Sequence, residues 1–203
     1  KNFDLTTGIN LLYQSDVNDF WEYVFSVKPL VVVLSPPCTG LSGFSALNRV
    51  VAPDGFHRSR LVSLPLGDLA GHVAQFQLTH GRHFIAEQPR GSELYTLPSW
   101  IPVANDPKLV IATPDMCMAG LTDPENPHLF FKKSCEVWAS SEVLVSPLRK
   151  FKCDNSHEHS VIEGTHNGVN KSHGARVWTW KLAASVASGI AAIVRENHYM
   201  YCR

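Results

Sequence analysis

A cysteine that follows two prolines at the end of an apolar segment is well placed for covalent chemistry. Leu30–Leu34 is a continuous run rich in β-branched residues, which is typical of a central parallel strand covered on both faces. Pro36 and Pro37 end the strand ladder because neither has a backbone N–H, and Cys38 follows directly. Ligands of open α/β sheets bind at the carboxyl ends of strands, so Cys38 is a candidate nucleophile. A buried structural thiol after a rigid turn is the alternative.

A carboxylate has the same kind of position after a second apolar run. Residues 83–87 read HFIAE, and Glu87 is followed by Gln88 and Pro89. A glutamate that ends an apolar strand next to proline is a candidate for acid–base or hydrogen-bonding chemistry. The alternative is a capping or surface carboxylate.

A third group of residues has the chemistry of metal ligands. Cys153, His157 and His159 lie within seven residues in a turn-rich segment, and a thiol with two imidazoles can hold zinc if a fourth ligand joins them. Four further residues are available as that ligand: Cys117, Cys135, His166 and His173. The spacing matches no standard zinc finger, so chance clustering of histidines in a polar loop is the alternative.

The elements that position these residues alternate between helices and strands. Apolar residues at i, i+3, i+4, i+7 and i+8 predict a helix over residues 16–28, and apolar residues on one face predict another over 66–80. Residues 176–195 read as a closing helix rich in Ala, Ser and Gly, which would allow close packing on the sheet. Residues 108–113 and 130–140 read as further strands, and 43–65 as a basic loop. This order predicts a single α/β domain over residues 1–203, with a mostly parallel, Rossmann-like sheet, helices on both faces, and a turn-rich Cys/His insert at 141–173.

Composition narrows the possible environments and partners. Formal net charge is zero, so binding to nucleic acid would have to depend on a local patch. The apolar run over 182–194 is too short to span a bilayer, and no signal peptide is present, so we expect no membrane association. Five cysteines without a CxxC pair indicate a reducing, intracellular location. The sequence begins at Lys1, which is consistent with a fragment or a processed product.

The strand-end motifs resemble those of the DNA cytosine-5 methyltransferases. PPCTGLS at residues 36–42 resembles the PPCQGFS signature of that family, in which the cysteine is the nucleophile. Glu87 is located where the family has its ENV motif. The segment 114–120, followed by Lys132 and Lys133, is similar to the region of the QxRxR motif, with lysines in place of arginines.

Segments near the two ends of the chain also resemble motifs of this family. The resemblance therefore covers most of the chain, from the third family motif to the last. GARV at 174–177 is similar to the closing GNxV motif, and FDLT at 3–6 resembles the segment whose acidic residue contacts the cofactor adenine. The first two family motifs, which include the Gly-rich cofactor loop, are absent, so the sheet is expected to be N-terminally incomplete. PPCT, DMCMAGL and CDNSHEHSVIEG are also similar to methyltransferase-like segments of retroelement-type polyproteins.

The resemblance implies a role for each candidate residue. Cys38 would add to carbon 6 of cytosine, Glu87 would hydrogen-bond ring nitrogen 3 and the exocyclic amine, and S-adenosylmethionine would donate the methyl group. Residues expected to contact the cofactor are Asp4, Ser35 and Pro36. Residues expected to contact nucleic acid, DNA rather than RNA, are Ser42, Arg58, Arg90, Lys132 and Lys133. A missing N-terminal segment or a partner chain would complete the cofactor site.

Two other functions stay open from the sequence. One is a catalytically inactive remnant of this fold that binds nucleic acid or a partner protein, which the missing motifs favour. The other is an exocyclic-amine methyltransferase, since Ser35-Pro36-Pro37 matches the SPP motif of those enzymes. Cys38 would have to replace the aromatic residue that stacks on their target base.

Overall fold

The computed structural model describes the backbone of residues 1–201, and their side chains except those of Phe44, Ala46 and residues 199–201. The chain divides into two compact units, Lys1–Pro107 and a second unit that begins at Lys108. Helices, one parallel pair of longer strands and one antiparallel pair make the protein mixed α/β. The predicted α/β class is thus confirmed at this level. The strand Val110–Ala112, predicted to be parallel, instead pairs in antiparallel orientation with Cys135–Ala139.

The first unit consists of a parallel strand pair and the helices beside it. Its elements are α1 (Gln14–Val27), β1 (Val31–Leu34), α2 (Gly43–Val51), α3 (Pro53–Thr79), β2 (His83–Pro89) and α4 (Ile101–Ala104). The register of β1 and β2 runs from Val31 opposite His83 to Leu34 opposite Ala86. Both strands therefore end at the same edge, as the sequence predicted.

Helix α1 follows the predicted amphipathic pattern. Phe20 and Val24 are its buried residues. The helix ends where Lys28 adopts a left-handed conformation, with φ of 53°, and donates its backbone N–H to the Val24 carbonyl.

The region predicted as a basic loop, residues 43–65, is helical, so that prediction is wrong. It forms α2 and the first half of α3, and α3 continues through Pro65. The buried face of α3 includes small residues: a β-carbon at Gly71 would lie 2.5 Å from Ser99 Oγ. Close packing against residues 98–100 therefore stabilises a helix that contains Gly and Pro, which the local sequence disfavours.

The second unit has an antiparallel strand pair, two small two-stranded sheets and a long final helix. Its elements are β3 (Val110–Ala112), β4 (Phe130–Phe131), β5 (Cys135–Ala139), α5 (Glu142–Val145), β6 (His159–Ser160), β7 (Thr165–His166), β8 (Val169–Asn170), α6 (Lys171–Gly174) and α7 (Trp180–Tyr201). Strand β3 pairs with β5, and β4 pairs in parallel with β6. Asn167 and Gly168, both at positive φ, join β7 to β8 as a tight hairpin.

The segment predicted as a turn-rich insert, residues 141–173, lies in this unit, but its first part is helical: it contains α5 and a 3-10 turn over Ser146–Leu148. After α5 and a short 3-10 turn, the chain has only two-residue strands and turns until α6. Within residues 1–201, no helix is long and apolar enough to cross a membrane.

Candidate functional site

The loop after β1 presents Cys38 as a half-buried thiol. Ser35 and Pro37 are exposed, while Pro36 and Thr39 are half-buried. The Cys38 carbonyl accepts the backbone N–H groups of Leu41 (3.0 Å) and Ser42 (2.8 Å), which turns the chain into α2. The cysteine is therefore held in a defined turn with part of its surface open to solvent.

Residues from β2 and the segment after it fix this loop from one side. Gln88 Nε2 donates to the Pro36 carbonyl at 2.6 Å. Ser92 Oγ donates to the Leu41 carbonyl at 3.2 Å, and that carbonyl also accepts the Glu93 N–H at 2.7 Å. The backbone on both sides of Cys38 is thereby hydrogen-bonded to β2, which carries Glu87, and to the segment that follows β2.

Helix α3 fixes the loop from the other side. Arg60 Nη1 donates to the Gly40 carbonyl at 3.1 Å and pairs with Glu93 Oε2 at 2.5 Å, while Ser63 Oγ accepts the Gly40 N–H at 3.2 Å. A β-carbon at Gly40 would lie 2.9 Å from the backbone carbonyl group of Ser59, so the close approach of α3 requires glycine there. The sequence predicted Arg60 only as part of a basic loop that could hold phosphates and predicted no role for Ser63, because the groups that both residues contact are distant in sequence.

Glu87 lies on β2 one residue past Ala86, which is opposite Leu34, the last residue of β1. Its side chain is buried, with 6% of the residue exposed. Cys38 and Glu87 therefore both follow the last paired residues, Leu34 and Ala86, of two adjacent parallel strands. The predicted strand end at Glu87 is wrong, because β2 continues to Pro89.

The other predicted contact residues of the first unit lie at its surface. Asp4 is exposed, and its Oδ1 accepts the Thr6 N–H at 2.7 Å as the cap of a short 3-10 turn. Hydrogen bonds from the Thr6 hydroxyl and from the Thr6 backbone N–H lower the pKa of Asp4. Ser42 is half-buried at the start of α2. The remaining two, both exposed, are Arg58 and Arg90.

The second unit brings the predicted metal ligands together and adds a fourth. Ligand atoms of Cys117, Cys153, His157 and His159 all lie within 4.8 Å of one another. Cys153 Sγ is 3.5 Å from His159 Nε2 and 3.9 Å from His157 Nε2. Sulfur and nitrogen ligands around one tetrahedral zinc are separated by roughly 3.3–3.8 Å. The cluster can therefore hold a metal ion with a small contraction.

Two short segments present these four side chains. Cys117 is in a turn after β3, where its carbonyl accepts the Gly120 N–H at 3.0 Å. Cys153 begins a second turn, in which Asn155 has φ of 60° and donates its backbone N–H to Cys153 Sγ at 3.4 Å. The ring of His157 packs on Phe130 with centroids 4.7 Å apart, and His159 is in β6.

Burial shifts the pKa of two residues of this cluster, Cys117 and His159. Burial, reinforced by the Cys153 thiol, raises the pKa of the Cys117 thiol to about 11. Burial also lowers the pKa of His159, which keeps its imidazole neutral and able to ligate. A metal that binds here must displace thiol protons, so its affinity will rise with pH.

The other candidates in this unit have different partners. Cys135 is fully buried in β5 and lies outside the cluster. His166 lies 3.6 Å from Glu125, and His173 is exposed in α6. Cys117 was a candidate from the sequence, but the sequence did not distinguish it from these three alternatives.

Of the two predicted lysine contacts, one is exposed and one is engaged with the backbone. Lys132 is exposed and donates to Asn155 Oδ1 at 2.6 Å. Lys133 is half-buried and donates to the Ala175 carbonyl at 3.0 Å.

No family model, curated protein or solved structure matches this chain.

Proposed function

We propose that the chain carries out cytosine-5-type chemistry on DNA, with Cys38 as nucleophile and Glu87 as its hydrogen-bonding partner, on a Rossmann-like framework. The observation that carries the proposal is the position of both residues at the carboxyl edge of adjacent parallel strands, where ligands of α/β sheets bind. A half-buried thiol in a rigid loop can reach a base that has left the stack.

The chemistry follows from the two groups. The Cys38 thiolate forms a bond to carbon 6 of cytosine, and the π electrons of the 5,6 double bond shift to carbon 5 and through carbon 4 to ring nitrogen 3. Glu87, as a carboxylic acid, donates a hydrogen bond or a proton to ring nitrogen 3, which neutralises the developing charge. Carbon 5 of the adduct is then nucleophilic and takes up a proton from solvent or another electrophile. A solvent base removes the hydrogen that carbon 5 originally carried, the thiolate leaves carbon 6, and the 5,6 double bond is restored.

The residues of this chain do not by themselves fit S-adenosylmethionine, the methyl donor that the family resemblance implies. The sequence contains no GxG loop, and the carboxylate of Asp4 is engaged by Thr6 in its own turn. The proposed chemistry of these residues is therefore covalent addition to the base, and no step of methyl donation is assigned to them.

Exchange of the cytosine carbon 5 hydrogen tests the addition step without a methyl donor. An oligodeoxynucleotide that carries tritium at this position is incubated with the chain, and tritium in water is counted. We expect release by the wild type, background release by Cys38→Ser, and a loss of about 10²–10⁴-fold for Glu87→Gln. The matched control in the same loop, Thr39→Ser, should release tritium as the wild type does. Binding of the oligonucleotide with no release by the wild type would instead favour a non-catalytic remnant.

We also propose that the Cys117–Cys153–His157–His159 cluster, here called the metal centre, binds zinc in a structural role. Two thiolates and two imidazoles satisfy the preference of zinc for four tetrahedral nitrogen and sulfur ligands, and a full protein ligand set leaves no position for substrate. The support is the set of distances of 3.5 and 3.9 Å from one sulfur to two imidazole nitrogens.

Metal analysis of chain purified without chelator tests this second proposal. We expect one zinc per chain, and Co²⁺ substitution should give the visible absorption bands of a tetrahedral site with thiolate ligands. Cys153→Ser should lose the metal. Cys38→Ser, which also removes one half-buried thiol, should retain it. Absence of both metals from the wild type would refute a zinc centre.

A further inference from the structure

A buried carboxylate connects the two segments that carry the metal ligands. Asp115, 4% exposed, precedes Cys117 by two residues, and its Oδ2 accepts the backbone N–H of Cys153 at 2.9 Å. Its Oδ1 accepts the hydroxyl of Ser134. The backbone N–H of Asp115 donates to the Phe151 carbonyl at 2.7 Å. One residue thus binds the Cys153 segment through both its side chain and its main chain.

We propose that Asp115 is a positioning residue of the metal centre, an inference that rests on the zinc proposal. The hydrogen bond to the Cys153 N–H fixes the backbone from which that ligand projects. Cys117 projects from the turn that Asp115 itself begins, because the Asp115 carbonyl accepts the Met118 N–H at 3.1 Å. The carboxylate therefore sets the separation of the two sulfurs without contacting the metal. Residues of this kind, one layer outside the ligands, orient them before the metal binds.

The contacts of Asp115 distinguish this role from two others. Both carboxylate oxygens already accept hydrogen bonds, and Asp115 is outside the group of mutually close ligand atoms, so it is not a fifth ligand. A purely electrostatic role would require only a negative charge near the centre. A positioning role requires an acceptor oxygen at the exact place that the Cys153 N–H reaches.

Two substitutions distinguish an effect of the position of the Asp115 oxygens from an effect of their negative charge. Asp115→Asn keeps the shape and an oxygen for the Cys153 N–H, and its amide N–H can donate to Ser134 Oγ, but the charge is removed. Asp115→Glu keeps the charge and displaces the oxygens by one methylene. If Asp115 acts by position, Asp115→Glu should weaken zinc binding by about 10–100-fold, whereas Asp115→Asn should retain most of the affinity. Ser134→Ala removes the other partner of the carboxylate and should have a smaller effect than Asp115→Glu.

The experiment is a competition titration of the full chain with a chromophoric zinc chelator, combined with the Co²⁺ spectrum of each variant. We expect the bands of Asp115→Asn to match the wild type and those of Asp115→Glu to shift or lose intensity. Tight binding by Asp115→Glu with weak binding by Asp115→Asn would overturn the positioning role, as would equal affinity and spectra in all variants. If the wild type itself binds neither zinc nor Co²⁺, that result refutes the zinc proposal on which the role of Asp115 rests.

Discussion

Removal of the metal should release residues 152–174 while the rest of the chain stays folded. Among these residues, all of which the structure describes, no side chain is buried. Ordering a residue costs about 1–2 kcal/mol of backbone conformational entropy, and here little apolar burial offsets that cost. The proposed metal centre lies at the start of this segment and is therefore expected to supply most of its local stability.

The expected magnitude follows from linkage. A metal that binds only the ordered segment stabilises it by about 4.1 kcal/mol when free zinc exceeds Kd by about 1,000-fold. Amide hydrogen exchange within residues 152–174 should then accelerate by about a thousandfold after chelation. The Phe130 N–H, which donates to the Glu158 carbonyl at 3.2 Å, and the Lys171 N–H, which donates to the Gly164 carbonyl at 3.1 Å, should respond in the same way.

Hydrogen exchange with mass spectrometry, with and without chelator, measures this effect. Amides of β5, which is buried at four of its five residues, serve as the internal control and should not change. Cys153→Ser should exchange like the chelated wild type whether or not zinc is added, and Cys38→Ser should behave like the wild type. Identical exchange of residues 152–174 with and without chelator would refute the reasoning.

Two further predictions concern stability within the second unit. A hydrogen bond from the Ser160 hydroxyl, aided by Lys171, lowers the pKa of Asp123 to about 2. Because a depressed pKa stabilises the folded state above the unfolded pKa of about 4, urea titrations should show the wild type more stable than Asp123→Asn above pH 4. That difference should disappear between about pH 4 and pH 2, and a constant difference would contradict this assignment. In α7, a β-carbon at Gly189 would lie 2.7 Å from the Leu144 carbonyl oxygen. Gly189→Ala should therefore lower the free energy of unfolding by about 1–3 kcal/mol, less any gain in helix propensity. Ser188→Ala, at an exposed position of the same helix, is the control. An increase in the stability of Gly189→Ala would contradict the prediction and show that α5 can move away from α7.

Local sequence patterns predicted the strand pair that carries Cys38 and Glu87. An apolar β-branched run can be buried as a central strand, and prolines cannot continue its ladder, so both the strand and its end are visible in the sequence. The structure confirmed β1, β2 and their parallel pairing. The loop predicted over residues 43–65 is wrong because the glycines and prolines of this segment, which disfavour a helix locally, are accommodated within α2 and α3. Pro53 instead lies in the first turn of α3, where its missing N–H is tolerated, and Pro65 lies within α3 as an exposed residue.

In the metal centre, too, the local sequence predicted some of the residues and only the tertiary structure showed the others. Cys153, His157 and His159 are close in sequence, and any turn that brings seven residues together can gather them, so residue type and spacing were sufficient to propose a site. The fourth ligand could not be chosen in this way, because Cys117 and Cys135 are both distant in sequence from that turn. Only the tertiary structure decided between them: a buried carboxylate, Asp115, holds the Cys117 turn against Cys153, whereas β5 buries Cys135 away from the cluster. The sequence by itself determined which groups are able to do chemistry, and long-range hydrogen bonds and packing decided which of them meet.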